Sequence, residues 1–564
     1  MAIFVDTEKT GRNAVLDKAP TYIEGLDHIL EGGLPRGRTT VVSGGVGSGK
    51  TLLGLEFLYR GALHGEPGIF VGFEESSLQL RENASVLGWN LESLVERNRL
   101  VLLDGRIRPE TFISGDFSLR GLLAITSGKQ REMNARRVVI DALEVALRLF
   151  DSPQTMRNEL HALHDWLQAG GLSAILTIRQ TRGGPSVYEE FFDSLSDCLI
   201  RMDARVDAQI TTRRLRVIKY RGSDFGRNEY PYTIGMGGLR LAPISTVGLR
   251  HKPLGERMTT GIPRLDDMLG GGYRRGACIL FAGLPGTGKT ILASTFVAQA
   301  CDRGERVLYI GFEESQEAML ENVRSAGLDL RDHARSELLA FLVHYPEAMG
   351  AEDHFFRAME RIEALSPAHV VVDAISACER MGGKQAAYEY LMRLLNACKE
   401  RGITVFLINQ LSGSTGYVEI SGNEISSMVD TVLFLHYQPC PGETNRILHV
   451  LKSRGSRHSN VKHEYVISDD GIHILDPYVG EGDVLTGTLR QRQELKDRLK
   501  AQRLDFDIQL KELELKRLRL AQKEVQQALA NRTATVDRAK SSMPGPSPIG
   551  DGEESGGSHD DTGA

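Results

Sequence analysis

Gly44-Gly45-Val46-Gly47-Ser48-Gly49-Lys50-Thr51 decides the fold of this chain, and it has a second copy, Gly283-Leu284-Pro285-Gly286-Thr287-Gly288-Lys289-Thr290. Each copy fits the pattern G-x-x-x-x-G-K-[ST], follows a β-prone run and precedes an apolar run compatible with a helix. In that context the glycines let backbone N–H groups surround a polyphosphate, and the following helix offers its N-terminus to the anion. The sequence therefore predicts two phosphate-binding loops.

The loops supply candidates for binding ATP and Mg²⁺. We expect the ammonium groups of Lys50 and Lys289 to meet the β- and γ-phosphates and the hydroxyls of Thr51 and Thr290 to ligate Mg²⁺. The candidate nucleotide-binding positions in the loops are Gly45, Gly47, Ser48, Gly49, Lys50, Thr51, Gly286, Thr287, Gly288, Lys289 and Thr290. A chance Gly-rich turn is the alternative for one copy, and two copies in matching contexts disfavour it.

Length and composition narrow the class of protein. A chain of 564 residues exceeds what one hydrophobic core usually supports, so we expect two or more domains. The sequence shows no secretory signal and no apolar run long enough to span a bilayer, and its six cysteines are scattered, which predicts a cytoplasmic protein with no membrane association. A formal net charge of -6 gives no global reason to expect nucleic-acid binding.

A repeat extends well beyond the loops. Phe73-Glu74-Glu75-Ser76 matches Phe312-Glu313-Glu314-Ser315 at the same offset of 239 residues that relates Lys50 to Lys289. Carboxylates at a strand end beyond a phosphate loop are able to orient an attacking water. Glu74 and Glu313 are the candidate general bases; for Glu75 and Glu314, spacing does not separate a catalytic role from a role in local charge or helix capping.

Two apolar runs in residues 137–141 and 369–373 end in Asp141 and Asp373. Each has the pattern of a buried parallel strand that delivers a carboxylate at its C-terminal end, where an aspartate would hold Mg²⁺ directly or through water. A strand-ending turn residue is the alternative. Strand-like and helix-like segments alternate throughout both copies, which predicts an α/β fold with parallel sheets and helices on both faces.

Each copy closes with a strand-like run that ends in Lys-x-Arg-Gly. The cations are Lys219 and Arg221 in the first copy and Lys452 and Arg454 in the second. They are either contacts to the nucleotide of a neighbouring subunit or members of a solvated turn, which is the commoner fate of Lys and Arg.

The predicted organisation has five parts. These are an N-terminal segment 1–20, domains 21–245 and 246–478, a helix 488–531 and a disordered tail 539–564. The helix carries two leucine-rich stripes, so we expect it to form a coiled coil with other copies of itself, with strand number left open. Packing of the helix against the second domain is the alternative.

The tandem loops, Phe-Glu-Glu-Ser motifs, Asp-ended strands and Lys-x-Arg-Gly pairs together resemble the KaiC family, the double-domain RecA-like ATPases of bacterial timing systems. The resemblance covers roughly residues 15–478. It implies tandem RecA-like P-loop NTPase domains in a two-tiered homo-hexamer, with ATP at subunit interfaces, a slow ATPase in the first domain and an autokinase and autophosphatase in the second. It also implies that Glu75 and Glu314 assist Glu74 and Glu313, and that Arg380 is an interface arginine.

The resemblance further implies phosphoacceptors and partners. The family's adjacent Ser and Thr acceptors correspond here to Ser426 and Ser427, for which unmodified turn serines are the alternative. A KaiB-like protein is an expected partner of the first domain. The long helix replaces the short tail that binds KaiA in the clock members, which argues against dependence on KaiA and resembles the extended, non-cyanobacterial branch; six such helices would bundle or join two rings into a dodecamer.

The leading interpretation is therefore an ATPase with Ser/Thr autokinase activity that acts as a timing or signalling switch. A RecA/RadA-like DNA-dependent ATPase is the main alternative, disfavoured by the negative net charge and by the lack of a basic, aromatic-interleaved loop. A scaffold that binds nucleotide without turnover is the third, and the two intact loops and glutamate pairs argue against it.

Overall fold

The computed structural model describes residues 16–106, 118–150, 152–180, 191–192, 195–207, 209–241, 251–411, 425–440, 443–476 and 486–540. Most of it forms one unit, which contains two sheets of nine strands each, and the C-terminal helix belongs to a second unit. We use "first domain" for strands β1–β11 with helices α1–α7, and "second domain" for strands β12–β22 with helices α8–α13.

The first domain alternates strands and helices up to its seventh strand. Its strands are β1 Lys18–Ala19, β2 Leu34–Pro35, β3 Thr39–Gly44, β4 Gly68–Gly72, β5 Leu100–Asp104, β6 Arg137–Asp141, β7 Ser173–Arg179, β8 Cys198–Asp207, β9 Ile210–Tyr220, β10 Glu229–Gly235 and β11 Gly238–Leu241. Its helices are α1 Leu26–Ile29, α2 Lys50–Leu63, α3 Ser77–Val86, α4 Leu91–Glu96, α5 Arg120–Met133, α6 Leu143–Leu147 and α7 Pro153–Ala169.

The second domain repeats this order. Its strands are β12 Arg257–Met258, β13 Tyr273–Arg274, β14 Cys278–Gly283, β15 Val307–Gly311, β16 Leu339–Val343, β17 His369–Asp373, β18 Thr404–Gln410, β19 Thr431–Cys440, β20 Glu443–Ser453, β21 His463–Ser468 and β22 Gly471–Ile474. Its helices are α8 Pro263–Met268, α9 Lys289–Asp302, α10 Gln316–Arg324, α11 Arg331–Arg335, α12 Ala351–Leu365 and α13 Lys384–Arg401, with short 3₁₀ turns at Pro346–Ala348, Ile375–Met381 and Ile425–Ser427.

Both large sheets have the same topology. The first has the order β11-β10-β9-β8-β3-β7-β6-β4-β5, and the second, read from β22, has β22-β21-β20-β19-β14-β18-β17-β15-β16. The central strands pair in parallel, as the sequence predicts. Because these strands are buried on both faces, adjacent residues such as Val41 and Val42 belong to different apolar clusters. This confirms the predicted α/β fold of tandem domains.

The sheets are mixed rather than wholly parallel, which corrects one detail of the prediction. Strand β9 runs antiparallel to β8, and β10 and β11 continue in antiparallel order. A parallel neighbour requires a crossover of a dozen or more residues, whereas a short connection brings the chain back antiparallel. The Lys-x-Arg-Gly segments begin within the last residues of the antiparallel strands β9 and β20, in the half of each sheet away from β5 and β16.

The C-terminal unit is dominated by one helix, α14 Gly487–Lys540. This helix extends past both ends of the predicted segment, and the remainder of the predicted tail lies outside the described residues. Most of its described leucines, including Leu504, Leu513 and Leu520, are more than half exposed. Among the helices in the described ranges, none combines the length and the apolar character needed to cross a membrane.

Candidate nucleotide-binding sites

Both predicted phosphate loops lie at the carboxyl edge of a sheet, between a central strand and a long helix. In the first domain, β3 ends at Gly44 and α2 begins at Lys50. Gly49 caps this helix in the left-handed region with φ of 82°, and a Cβ there would come within 2.7 Å of the side chain of Ile234. Glycine is therefore required at this position, both for the backbone angle and for the close approach of β10.

Hydroxyl groups hold the interior of each loop. The Ser48 hydroxyl donates to the carbonyl oxygen of Gly45 at 2.9 Å, and the Thr287 hydroxyl donates to that of Leu284 at 2.8 Å. Two buried tyrosines of the antiparallel extensions, Tyr232 and Tyr465, donate to the backbone of the loops. The side chains of Ser48 and Thr287 thus stabilise the conformation of the loops. Their backbone N–H groups would contact a phosphate.

The predicted metal-binding pairs are in contact in both domains. The Thr51 hydroxyl donates to Asp141 at 3.0 Å, and the Thr290 hydroxyl donates to Asp373 at 2.9 Å. Burial raises the pKa of Asp141 to about 6 and also raises the pKa of Asp373. These oxygen donors suit Mg²⁺, which would compensate the buried carboxylate.

Each predicted metal-binding aspartate has a further hydroxyl partner, which comes from a different residue type in the two domains. Asp141 accepts a hydrogen bond of 2.6 Å from Thr177, and Asp373 accepts one of 2.6 Å from Tyr309. Within the described residues no group of three or more acidic, histidine or cysteine side chains is placed to hold a metal. A Mg²⁺ ion here would therefore take most of its ligands from nucleotide phosphates and water.

The loop lysines are held by the backbone to different degrees. The Lys50 ammonium donates to Gly45 O at 2.8 Å, whereas the Lys289 ammonium donates to both Gly283 O at 2.9 Å and Leu284 O at 2.8 Å. Burial lowers the pKa of both lysines, that of Lys289 to about 8. Both side chains remain within a cavity large enough for phosphates.

The structure separates the two members of each glutamate pair, which spacing alone does not. The Nδ2 group of Asn83 donates to Glu75 at 3.0 Å, and that of Asn322 donates to Glu314 at 3.0 Å. The asparagines lie on α3 and α10, each of which is N-capped by the serine that follows the glutamates. Sequence reasoning missed them, although an asparagine eight residues after the second glutamate recurs in both copies.

Two cavities collect most of the predicted residues. The first cavity has a volume of about 390 Å³ and is lined by Lys50, Thr51, Glu74, Glu75 and Asp141 together with Glu144, Thr177 and Arg179. The second cavity has a volume of about 570 Å³ and is lined by Lys289, Thr290, Glu313, Glu314 and Asp373 together with Tyr309, Gln410 and Arg446. Each therefore contains a phosphate loop, a hydroxyl–carboxylate pair and two glutamates.

The four Lys-x-Arg-Gly cations are not among the residues that line these cavities of their own chain. An arginine six residues before the lysine of this motif in each copy does reach the loop. Arg213 donates to Gly47 O and Arg446 donates to Gly286 O, each at 3.4 Å. Sequence reasoning missed this pair, although Arg213 and Arg446 are separated by the same number of residues as Lys219 and Lys452.

The predicted interface arginine contacts the second glutamate pair within the chain. Arg380 Nη2 lies 3.9 Å from Glu313, and its Nε lies 3.0 Å from Glu347. The contact gives the first glutamate of the second site a cationic neighbour.

The predicted acceptor serines lie in the 3₁₀ turn Ile425–Ser427, where Ser427 is exposed and Ile425 is buried. Lys399 fastens the residues that follow: its ammonium donates to Met428 O at 2.7 Å and to Asp430 at 2.9 Å. The turn is thus a surface segment with a buried anchor at each end.

Comparison with known proteins identifies the family. The model of the KaiC ATPase family matches residues 19–246 and again 258–478. A circadian clock protein KaiC2 of Synechocystis is 39% identical over 88% of this chain and 88% of its own length. Circadian clock oscillator proteins KaiC of Parathermosynechococcus lividus and Synechococcus elongatus are 35% and 34% identical, each over 84% of this chain and over 88% and 91% of their own lengths. The chain therefore belongs to the KaiC family of ATPases.

Proposed function

We propose that this ATPase is also a Ser/Thr autokinase and autophosphatase that acts as a timing or signalling switch, with hydrolysis in the first domain and phosphoryl transfer to Ser426 and Ser427 in the second. One observation carries the proposal: the two cavities share their phosphate loop, threonine–aspartate contact and glutamate pair, and within the described residues the serine turn Ile425–Ser427, with its exposed Ser427, belongs to the second domain. The names of the relatives support the association with timing.

In the first domain, Glu74 is the proposed general base. It lines the cavity beside Lys50 and Thr51, while Glu75 is occupied by Asn83. Glu74 orients a water whose oxygen attacks the γ-phosphorus as the bond to the β-bridging oxygen breaks, which releases ADP and phosphate. Mg²⁺ held by Thr51 and Asp141 would neutralise the developing negative charge on the phosphates.

In the second domain, a serine hydroxyl replaces that water. The Oγ of Ser426 or Ser427 attacks the γ-phosphorus, the bond to ADP breaks, and Glu313 accepts the serine proton. Arg380 beside Glu313 keeps a positive charge at this end of the cavity. In the autophosphatase reaction a water attacks the same phosphorus, the bond to the serine Oγ breaks, and phosphate leaves as the serine oxygen regains a proton.

Assembly completes the proposal. Lys219, Arg221, Lys452 and Arg454 lie outside the cavities of their own chain, which supports their reaching the nucleotide of a neighbouring subunit in a homo-hexamer. The exposed leucines of α14 support contact between helices of different copies, either within one ring or between two rings in a dodecamer. A KaiB-like protein is the proposed partner of the first domain, and KaiA dependence is not part of the proposal.

The direct test is phosphate mapping. The purified full chain is incubated with ATP and Mg²⁺, digested and analysed by mass spectrometry, beside a Ser426→Ala/Ser427→Ala variant. We expect phosphate on the peptide that contains residues 425–430 and none in the variant. Hydrolysis without phosphate on this peptide would reject the autokinase while leaving the ATPase intact. Neither the matched family nor the named relatives support a DNA-dependent motor.

A further inference from the structure

The first cavity contains a buried carboxylate that the second lacks. Glu144 is the second residue of α6, three residues after Asp141, and is only 4% exposed. Burial raises the pKa of Glu144, and backbone N–H groups of Glu144 itself and of Arg179 offset part of that rise. Its Oε2 atom is nevertheless buried without a hydrogen-bond partner among the described residues. An unpaired buried oxygen of this kind is costly, so a donor that enters the cavity would be attracted to it.

Lys50 is the donor best placed to satisfy this oxygen. Lys50 and Glu144 line the same cavity, and the Lys50 ammonium, which has three N–H donors, makes a single hydrogen bond to the loop backbone. Burial lowers the pKa of Lys50, and nearby carboxylates raise it again in part. The charge of Glu144 contributes most to this opposing effect. The two side chains are thus electrostatically coupled across the space that β- and γ-phosphates would occupy.

The second site is a natural control for this arrangement. The residue three positions after Asp373 is Ser376, which does not line the second cavity. There the Lys289 ammonium is tied to two backbone carbonyl oxygens instead of one. The carboxylates that act on Lys289 are those of Asp373 and Glu313, both already part of the proposed catalytic set.

We propose that Glu144 is a positioning residue specific to the first nucleotide site, whose buried carboxylate attracts the Lys50 ammonium electrostatically and competes for it with the β- and γ-phosphates. The competition loosens nucleotide binding at the first site, and more for ATP than for ADP because the γ-phosphate lies closest to the added negative charge. The second site holds ATP without this competitor. The inference rests on the proposed use of the first loop as a hydrolytic site.

Nucleotide affinity provides the first test. The measurements use full chains carrying Lys289→Met, so that nucleotide binding is measured at the first site. Displacement of a fluorescent ATP analogue gives the Kd values for ATP and ADP. Glu144→Gln keeps the size and the acceptor for the backbone N–H groups but removes the charge. We expect it to tighten ATP binding on the order of tenfold and ADP binding by roughly threefold. Glu144→Asp, which keeps the charge, should stay within about threefold of the parent.

The comparison of Glu144→Gln with its parent decides between the outcomes. Equal ATP affinity of Glu144→Gln and its parent, or weaker binding by the variant, would overturn the proposal. Equal tightening of ATP and ADP would overturn the part that concerns the γ-phosphate.

A second test needs no nucleotide. The unfolding equilibria of the nucleotide-free parent, Glu144→Gln, Lys50→Met and the double variant form a thermodynamic cycle. Electrostatic coupling between the two side chains predicts that the double variant departs from additivity by about fivefold or more in the unfolding constant. Additive effects would overturn the coupling. Failure of the parent to bind ATP at all, with the cycle still non-additive, would instead reject the assignment of the first site.

Discussion

Asn83 donates a hydrogen bond of 3.0 Å to Glu75, and Asn322 stands in the same relation, at the same distance, to Glu314. In both sites the second glutamate of the Phe-Glu-Glu-Ser motif is therefore held by the following helix. The first glutamate, Glu74 or Glu313, is left to act on a water or a hydroxyl in the cavity. This difference within each pair gives the catalytic assignment a direct test.

Substitution of the first glutamates should abolish turnover without abolishing binding. We expect Glu74→Gln together with Glu313→Gln to lower the ATP hydrolysis rate by on the order of 10²-fold or more, because a general base contributes about that much. ATP affinity should remain within a few-fold, since the loops and the threonine–aspartate contacts are unchanged. Steady-state phosphate release and nucleotide binding measure the two effects.

The matched control is Glu75→Gln together with Glu314→Gln. These carboxylates are occupied by the two asparagines, so the pair should retain most of the hydrolysis. A larger loss from this control than from the first-glutamate pair would reverse the assignment.

The buried Lys399–Asp430 pair should matter for both stability and the acceptor turn. Lys399→Met leaves Asp430 buried, with Arg454 3.7 Å away as its remaining side-chain ion-pair partner. Breaking one side of a buried pair costs about 3 kcal/mol or more, which should appear as a lower free energy of unfolding in urea. The loss of the bond to Met428 O should also lower phosphorylation of Ser427.

An ion pair of Asp197, the first-domain residue that corresponds to Asp430, is the control. Arg38 and Asp197 lie 3.3 Å apart, but the arginine is 42% exposed. Arg38→Met should therefore change the free energy of unfolding by less than about 1 kcal/mol. Equal effects of the two substitutions would contradict the importance given to burial.

Glu305 should stabilise the second domain in a pH-dependent way. Burial alone would raise the pKa of Glu305, but hydrogen bonds from His369, Arg275 and Arg303 outweigh it and hold this pKa at about 2. The folded protein therefore keeps the carboxylate ionised, whereas the unfolded chain binds the proton near pH 4.3. The stabilisation is full above about pH 4.3 and is lost as the pH falls toward 2.

The variant Glu305→Gln makes this measurable. It should lower the free energy of unfolding at pH 7 by roughly 2 kcal/mol, a typical loss for hydrogen bonds to a charged group. Denaturant titrations should show the difference from the parent shrinking between about pH 4.3 and 2. Glu321→Gln, at an exposed helical pair with Arg324, should show little difference at any pH. A constant difference for Glu305→Gln across that range would contradict the account.

The exposed leucines of α14 predict an effect on assembly. Truncation after Tyr478, or Leu513→Glu with Leu520→Glu in the full chain, should lower the particle mass measured by light scattering, because buried charges disfavour helix association. Gln526→Glu on the same helix is the control for added charge. An unaltered mass in both the truncated chain and the leucine variant would remove the assembly role of this helix.

Much of the site was predictable because its residues are close in sequence to glycine-rich turns or strand ends. Lys50, Thr51 and Asp141 lie where strand-to-helix junctions and buried strands must place them at the sheet edge. The repeat doubled the number of observations for each motif. The mixed character of the sheets was missed because strand direction depends on connection length rather than on apolar pattern.

The residues that sequence reasoning missed are those defined by contacts between elements. Asn83 reaches Glu75 from the next helix, and Tyr309 reaches Asp373 from a neighbouring strand. Glu144 resembles any polar residue of a short helix until its burial beside Lys50 is known. Such partners require the register of packed elements, which apolar periodicity does not contain.

We propose that the first nucleotide site hydrolyses ATP and that the second transfers phosphate to the serine turn. Phosphate incorporation in variants of a single loop tests this difference most directly. Full chains carrying Lys50→Met or Lys289→Met are incubated with γ-labelled ATP and Mg²⁺, and label in the peptide that contains Ser426 and Ser427 is quantified beside released phosphate. We expect Lys289→Met to lose the label and keep hydrolysis, and Lys50→Met to keep the label and lose most hydrolysis. Label that persists in Lys289→Met and disappears in Lys50→Met would contradict this proposal.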